Sequence, residues 1–131
     1  MNQWRIGAVL LALFLFIAGT VSAQDASTNG LITVQSAYSV AETVSRLQTT
    51  LADRGLTVVT TINHTANAQN VEQELAPTQV IVFGNPNLGT PLMQNQQTTG
   101  LDLPQKFLVW EDANGVNVTY NDPQYLADPT D

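Results

Sequence analysis

One histidine, His64, is the only side chain of this sequence that ordinarily titrates near neutrality. It stands where a β-branched run, residues 56–62, gives way to a helical pattern, and open sheets often hold ligands at such junctions. It reads either as a general base or ligand contact, or as a helix-start residue bonded to local backbone. A catalytic histidine needs an orienting carboxylate, and Asp102 and Asp122 are the candidates. Two polar breaks also follow apolar runs. Gly84-Asn85-Pro86 reads as a rigid turn or as one wall of a pocket at a strand's end. Tyr120-Asn121-Asp122-Pro123 reads as a turn with a helix cap, or as donors and acceptors facing that same pocket. His64, Gly84, Asn85, Pro86, Asn121 and Asp122 are thus the candidate ligand-binding set.

Other chemistries are poorly served. Glu72 with Glu74 and Glu111 with Asp112 are acid pairs, but neither spacing puts two carboxylates on one face of a helix or strand. They read as solvated surface rather than as a metal clamp. With no cysteine and one histidine, a zinc cluster, a thiol nucleophile, a disulfide and a lipid-anchoring cysteine have no residues to use. The phosphate-binding glycine patterns are missing, as is a nucleophile elbow. No catalytic set, metal site or cofactor is expected. The chain's net charge of −7 argues against nucleic acid and against anionic lipid head groups.

The elements that would position these residues follow from periodicity. Residues 31–36 are a candidate first strand. Ser39 and Glu42 form a capping box at the start of a helix over residues 39–54, whose stripe is Val40, Val44, Leu47 and Leu51. Gly55 ends it. Residues 56–62 read as a strand, 65–75 as a weaker helix with Ala68, Val71 and Leu75 on one face, and 79–83 as a central strand buried on both sides. A short helix is expected over 90–97, capped by Thr90 with Pro91 at its first position. Two strands, 106–110 and 116–120, flank Asn114-Gly115, a pair suited to a type I′ hairpin turn. The order β-α-β-α-β-α-β-β predicts an α+β fold, with a mixed sheet and helices on one face.

The N-terminus has its own pattern. Arg5 precedes an apolar run of roughly 13 residues, about 20 Å as a helix and short for a bilayer core of about 30 Å. Val21-Ser22-Ala23 then supplies small residues for cleavage after Ala23. Residues 1–23 are expected to be a cleavable signal peptide, the alternative being an uncleaved membrane anchor over residues 6–19. Cleavage leaves Arg46, Arg54 and Lys106 against 11 acidic residues, a balance of −8. The expected parts are then a leader with the start of the first strand (24–35), one domain (36–127) and a tail (128–131). The expected location is periplasmic or secreted, without stable membrane association after cleavage.

Several blocks recur together: Ile62-Asn63-His64, Gly84-Asn85-Pro86, Gly89-Thr90-Pro91-Leu92-Met93, Leu101-Asp102-Leu103-Pro104, Tyr120-Asn121-Asp122-Pro123 and Tyr125-Leu126-Ala127. From about Ser36 to Ala127 the chain resembles the domain-of-unknown-function 302 family. That resemblance implies a compact α+β fold near the TATA-binding-protein-like arrangement, with dimers in prospect and no agreed activity. Many members carry Asp before the histidine, where this chain has Asn63. The expected function is a non-enzymatic module that binds a small molecule or a protein. The alternatives are a hydrolase- or isomerase-like enzyme using His64 with Asp102 or Asp122, and a structural homodimerisation module.

Overall fold

A computed structural model describes residues 30–124. The expected signal segment, most of the leader and the tail lie outside the described residues. The elements are β1 (Leu31–Ser36), α1 (Val40–Asp53), β2 (Thr57–Asn63), α2 (His64–Gln69), β3 (Thr78–Gly84), α3 (Pro86–Asn95), a 3-10 turn (Gln97–Leu101), β4 (Gln105–Asp112) and β5 (Gly115–Asn121). All of β1 belongs to the folded domain. The fold is α+β, with the element order read from the sequence.

The five strands form one sheet in the order β1-β5-β4-β3-β2. Every neighbouring pair is antiparallel, so the sheet is not the mixed one expected. The reason lies in the connections. Strands β1 and β2 point the same way and are joined through α1, the usual recipe for a parallel pair. They sit at opposite edges, however, and the strands between them alternate in direction.

Helix α1 forms as its pattern dictates. Ser39 Oγ accepts the Glu42 amide at 3.3 Å, and Gly55 follows the last turn at φ +72° while the Leu56 amide returns to Leu51 O at 2.9 Å. Its stripe of Val40, Thr43, Val44, Leu47 and Leu51 is buried against Ile81, Phe83, Phe107, Val109, Val116, Val118 and Tyr120. Phe107 is the hub: its ring lies 4.5 Å from Phe83 and meets Tyr120 edge-on at 5.7 Å. Complete burial of side chains such as Leu51, Ile81 and Phe107 stabilises the fold by about 1.5–3 kcal/mol each. The one polar group of the stripe, Thr43, is satisfied by Ser36 Oγ at 2.7 Å.

Four local expectations change. Strand β3 lies inside the sheet, between β4 and β2, but is not buried on both sides: it alternates, with Ile81 and Phe83 in the core and Val80 and Val82 half-buried on the other face. Helix α2 stops at Gln69, because Val71 (65% exposed) and Leu75 (45%) find no surface to bury against. Helix α3 starts at Pro86, four residues before the expected Thr90, because Asn85 caps it and Pro86 takes the first helical position; Pro91 falls inside. In the β4–β5 hairpin, Asp112 pairs with Gly115 and the positive φ (126°) falls on Gly115, outside the two loop residues Ala113 and Asn114. That is not a type I′ turn, which needs positive φ at both loop residues. Asp112 Oδ1 instead accepts the Asn114 amide at 2.8 Å.

Candidate functional site

Strand direction decides which candidate residues can meet. Strands β2 and β4 end, and β3 and β5 begin, at one end of the sheet. His64 lies there, directly after Asn63, which pairs with Gln79. At the opposite end Thr57 pairs with Gly84 and Leu31 with Asn121. Gly84, Asn85, Pro86, Asn121 and Asp122 are all at that second end. So is Asp102, whose carbonyl accepts from Lys106 Nζ at 3.1 Å as β4 begins. A strand of seven residues is about 20 Å long. His64 is therefore far beyond hydrogen-bond reach of either Asp102 or Asp122. The structure does not assemble the histidine–carboxylate pair.

Within the second end the residues are also apart. Gly84 is on β3 and Asn121 on β5, with β4 between them, a gap of about 10 Å. Their side chains serve the fold. Asn85 Oδ1 accepts the Asn87 amide at 2.9 Å, and its Nδ2 donates to Gly55 O at 3.4 Å, tying the start of α3 to the end of α1. Asp122 Oδ1 accepts the Gln124 amide at 2.9 Å, while the Asp122 amide donates to Gly30 O at 2.8 Å. Gly84 ends β3 against Pro104. His64 opens α2 with an exposed side chain, and Asn63, not His64, caps that helix by accepting the Ala66 amide at 2.9 Å.

Two shallow concavities stand out in the described surface, and neither is lined by any of the six candidates. The first, about 290 Å³, lies at the His64 end between the start of α1 and the tips of β2, β3 and β4. Ser39, Asn63, Thr65, Gln79 and Glu111 supply its polar groups, with Val40, Ala41 and Pro77 beside them. Most of that polarity is spent: Ser39 and Asn63 cap helices, and Thr65 Oγ1 bridges Ala76 O and the Thr78 amide. Sequence reasoning named these caps only in part and missed the concavity. It forms because β1 and β2 run the same way, so the helices after them both start at one end. The second concavity lies on α3 and the following turn, around Thr90, Met93 and Gln97.

The described residues contain no group of three or more metal-binding side chains. Tyr120 is the one described group with a resolved shift: burial, and secondarily the Asp122 charge, hold its phenol above the usual tyrosine value.

The second face of the sheet is also apolar. Helix α1 packs over β2, β3 and β4 on one face. The alternate residues, Ile62, Val80, Val82, Leu108 and Trp110, are half-buried or exposed on the other. No helix of the described residues is long and apolar enough to cross a membrane.

Comparison with known proteins fits this architecture. The fluoride-specific ion channel FluC 1 of Brucella suis biovar 1 (strain 1330) is 48% identical over 100 residues, covering 76% of this chain and 39% of that one. FluC 1 of Brucella abortus biovar 1 (strain 9-941) is also 48% identical over 100 residues, 37% of its length. The chain thus spans about two fifths of these curated relatives. The crystal structure of an uncharacterized conserved protein DUF302 from Bacillus stearothermophilus superposes with a TM-score of 0.68 at 21% identity, covering 76% of this chain and 82% of that one. That likeness shows the fold. The family model for domain of unknown function DUF302 matches residues 32–131, and the chain belongs to that family.

Proposed function

We propose that this protein is an exported, non-catalytic binding module that works by assembling with protein surface, first of all with a second copy of itself. One observation carries the reading. The acid–base residues are dispersed to opposite ends of the sheet, whereas its two outer strands, β1 and β2, each have a single partner strand among the described residues. Relatives named as fluoride-specific ion channels contain a similar stretch within a chain roughly two and a half times as long. That supports a module built to work beside other polypeptide.

The test is the mass of the processed protein in solution. Sedimentation equilibrium over a wide concentration range is expected to show a monomer–dimer equilibrium, and N-terminal sequencing of exported material is expected to begin at Gln24. A monomer at every concentration would overturn the assembly reading. A Met1 start on membrane-bound protein would overturn export as a free domain.

The concavity beside α1 favours a second reading, binding of a small polar ligand between Gln79 and Glu111. A thermal-shift screen over small acids, amines and sugars tests it. Stabilisation that Glu111→Ala abolishes would support it, and no stabilisation would remove it.

A further inference from the structure

We infer that the concavity on α3 and the turn after it is a binding site for a small neutral sugar. The site goes beyond the assembly reading and does not depend on it. Strands β3 and β4 are antiparallel neighbours, and about 2–5 residues suffice to join such a pair. Here β3 ends at Gly84 and β4 begins at Gln105, so residues 85–104 intervene. They fold into α3 and the 3-10 turn, and neither element supplies a core side chain. Connections longer than the fold needs commonly carry binding function.

One helix face builds most of the concavity. Thr90, Met93 and Gln94 stand at i, i+3 and i+4 on α3, and Asn95 and Gln97 complete the lining. The volume is about 590 Å³, within the usual range for small-molecule sites. Met93 is half-buried and the other four are exposed, so its thioether forms the floor. Gly100 lets the turn close against that floor. A Cβ at position 100 would stand 3.1 Å from Met93 Sδ, tighter than ordinary contact.

The polar groups are the kind that hydroxyls pair with. Each amide of Gln94, Asn95 and Gln97 offers N–H donors and a carbonyl acceptor, and the Thr90 hydroxyl offers both. Among the described residues none of these four side chains is held by a hydrogen bond, whereas Asn85 caps α3 and Gln96 Nε2 donates to Thr98 Oγ1 at 3.1 Å. The first concavity differs, since its polar groups are mostly spent on caps and turns. Charge is absent too: no Asp, Glu, Lys, Arg or His stands between Glu74 and Asp102, in a chain of net charge −7. A charged ligand would shed water there with no opposite charge to replace it. A neutral sugar sets its hydroxyls against the amides and lays a C–H face on Met93.

The test is a heteronuclear NMR titration of the side-chain amides with glucose, galactose and N-acetylglucosamine. At least one of the three is expected to shift the Gln94, Asn95 and Gln97 amide signals saturably. Glucosamine and gluconate, which add a charge of either sign, are expected to leave them in place. Gln94→Ala combined with Asn95→Ala removes only exposed side chains, and is expected to keep the parent's dichroism and lose the Gln97 shift. Gln97→Ala alone is expected to weaken the response of the other two amides. Glu111→Ala, in the first concavity, is expected to leave all three shifts intact. No saturable shift with any of the three neutral sugars would overturn the site, as would a Gln97 shift that survives the double substitution. Equal binding of the charged analogues would overturn the neutral ligand class. Sedimentation reads none of these groups, so assembly stands or falls separately.

Discussion

Asn63, Asn85 and Asp122 each turn a side-chain oxygen onto a backbone amide of their own chain. Their chemistry is capping, and it is worth stability rather than turnover. Asn85→Ala is expected to cost about 1 kcal/mol in urea denaturation, more if the tie to Gly55 also counts. His64→Ala, which removes an exposed side chain, should stay within about 0.5 kcal/mol of the parent. Tyr120 gives a pH signature. Its folded phenol ionises above the unfolded value of about 10, so its contribution is complete below that pH and is lost as pH climbs through the folded value. Stability should therefore fall on the alkaline side, and Tyr120→Phe, which keeps the ring beside Phe107, should flatten that slope. Residue types were legible in the sequence; their spending was not. An Asn after a strand looks the same whether it faces a ligand or the amide two or three positions on.

Elements were legible where a pattern had a partner to bury against. The stripe of α1 lies over the sheet, and its cap and glycine stop stand where the sequence puts them. The Val71 and Leu75 face had the same periodicity but no surface opposite, and the helix ends before it. Periodicity records a preference that only tertiary contact redeems. The two cases predict opposite responses to truncation. Leu51→Ala, wholly buried, is expected to cost about 2–5 kcal/mol. Val71→Ala should change stability by no more than about 0.5 kcal/mol. Equal losses in chemical denaturation would mean that α2 and its following turn belong to the core. The misplaced start of α3 has a different cause. Thr90-Pro91 is the expected cap and first-turn proline, but Asn85-Pro86, read as a rigid turn, supplies the same two groups directly after β3 ends at Gly84, and the helix starts there.

At the scale of the molecule, strand order governs everything the local patterns left open. Whether His64 could meet Asp122 depends on which way β2 and β5 run, and no local pattern carries that. The same order joins the two termini of the described domain. Leu31 opens β1 directly opposite Asn121, which closes β5, and the Asp122 amide bonds Gly30 O at 2.8 Å. The first strand is thus the last one the sheet can add, held by pairings between residues 80 to 90 positions apart in the chain. A chain beginning at Tyr38 would lose that whole strand and bare the edge of β5, including Val116, Val118 and Tyr120. It is expected to lose the cooperative unfolding transition. A circular permutant that links Gln124 to Gly30 and opens the exposed Ala113–Asn114 loop keeps every strand pairing except the hairpin's covalent turn. It is expected to retain the parent's far-ultraviolet dichroism and a cooperative transition, because exposed turns tolerate new ends. If the permutant failed to fold while the chain lacking β1 folded, the hairpin and not the joined termini would be what closes this domain.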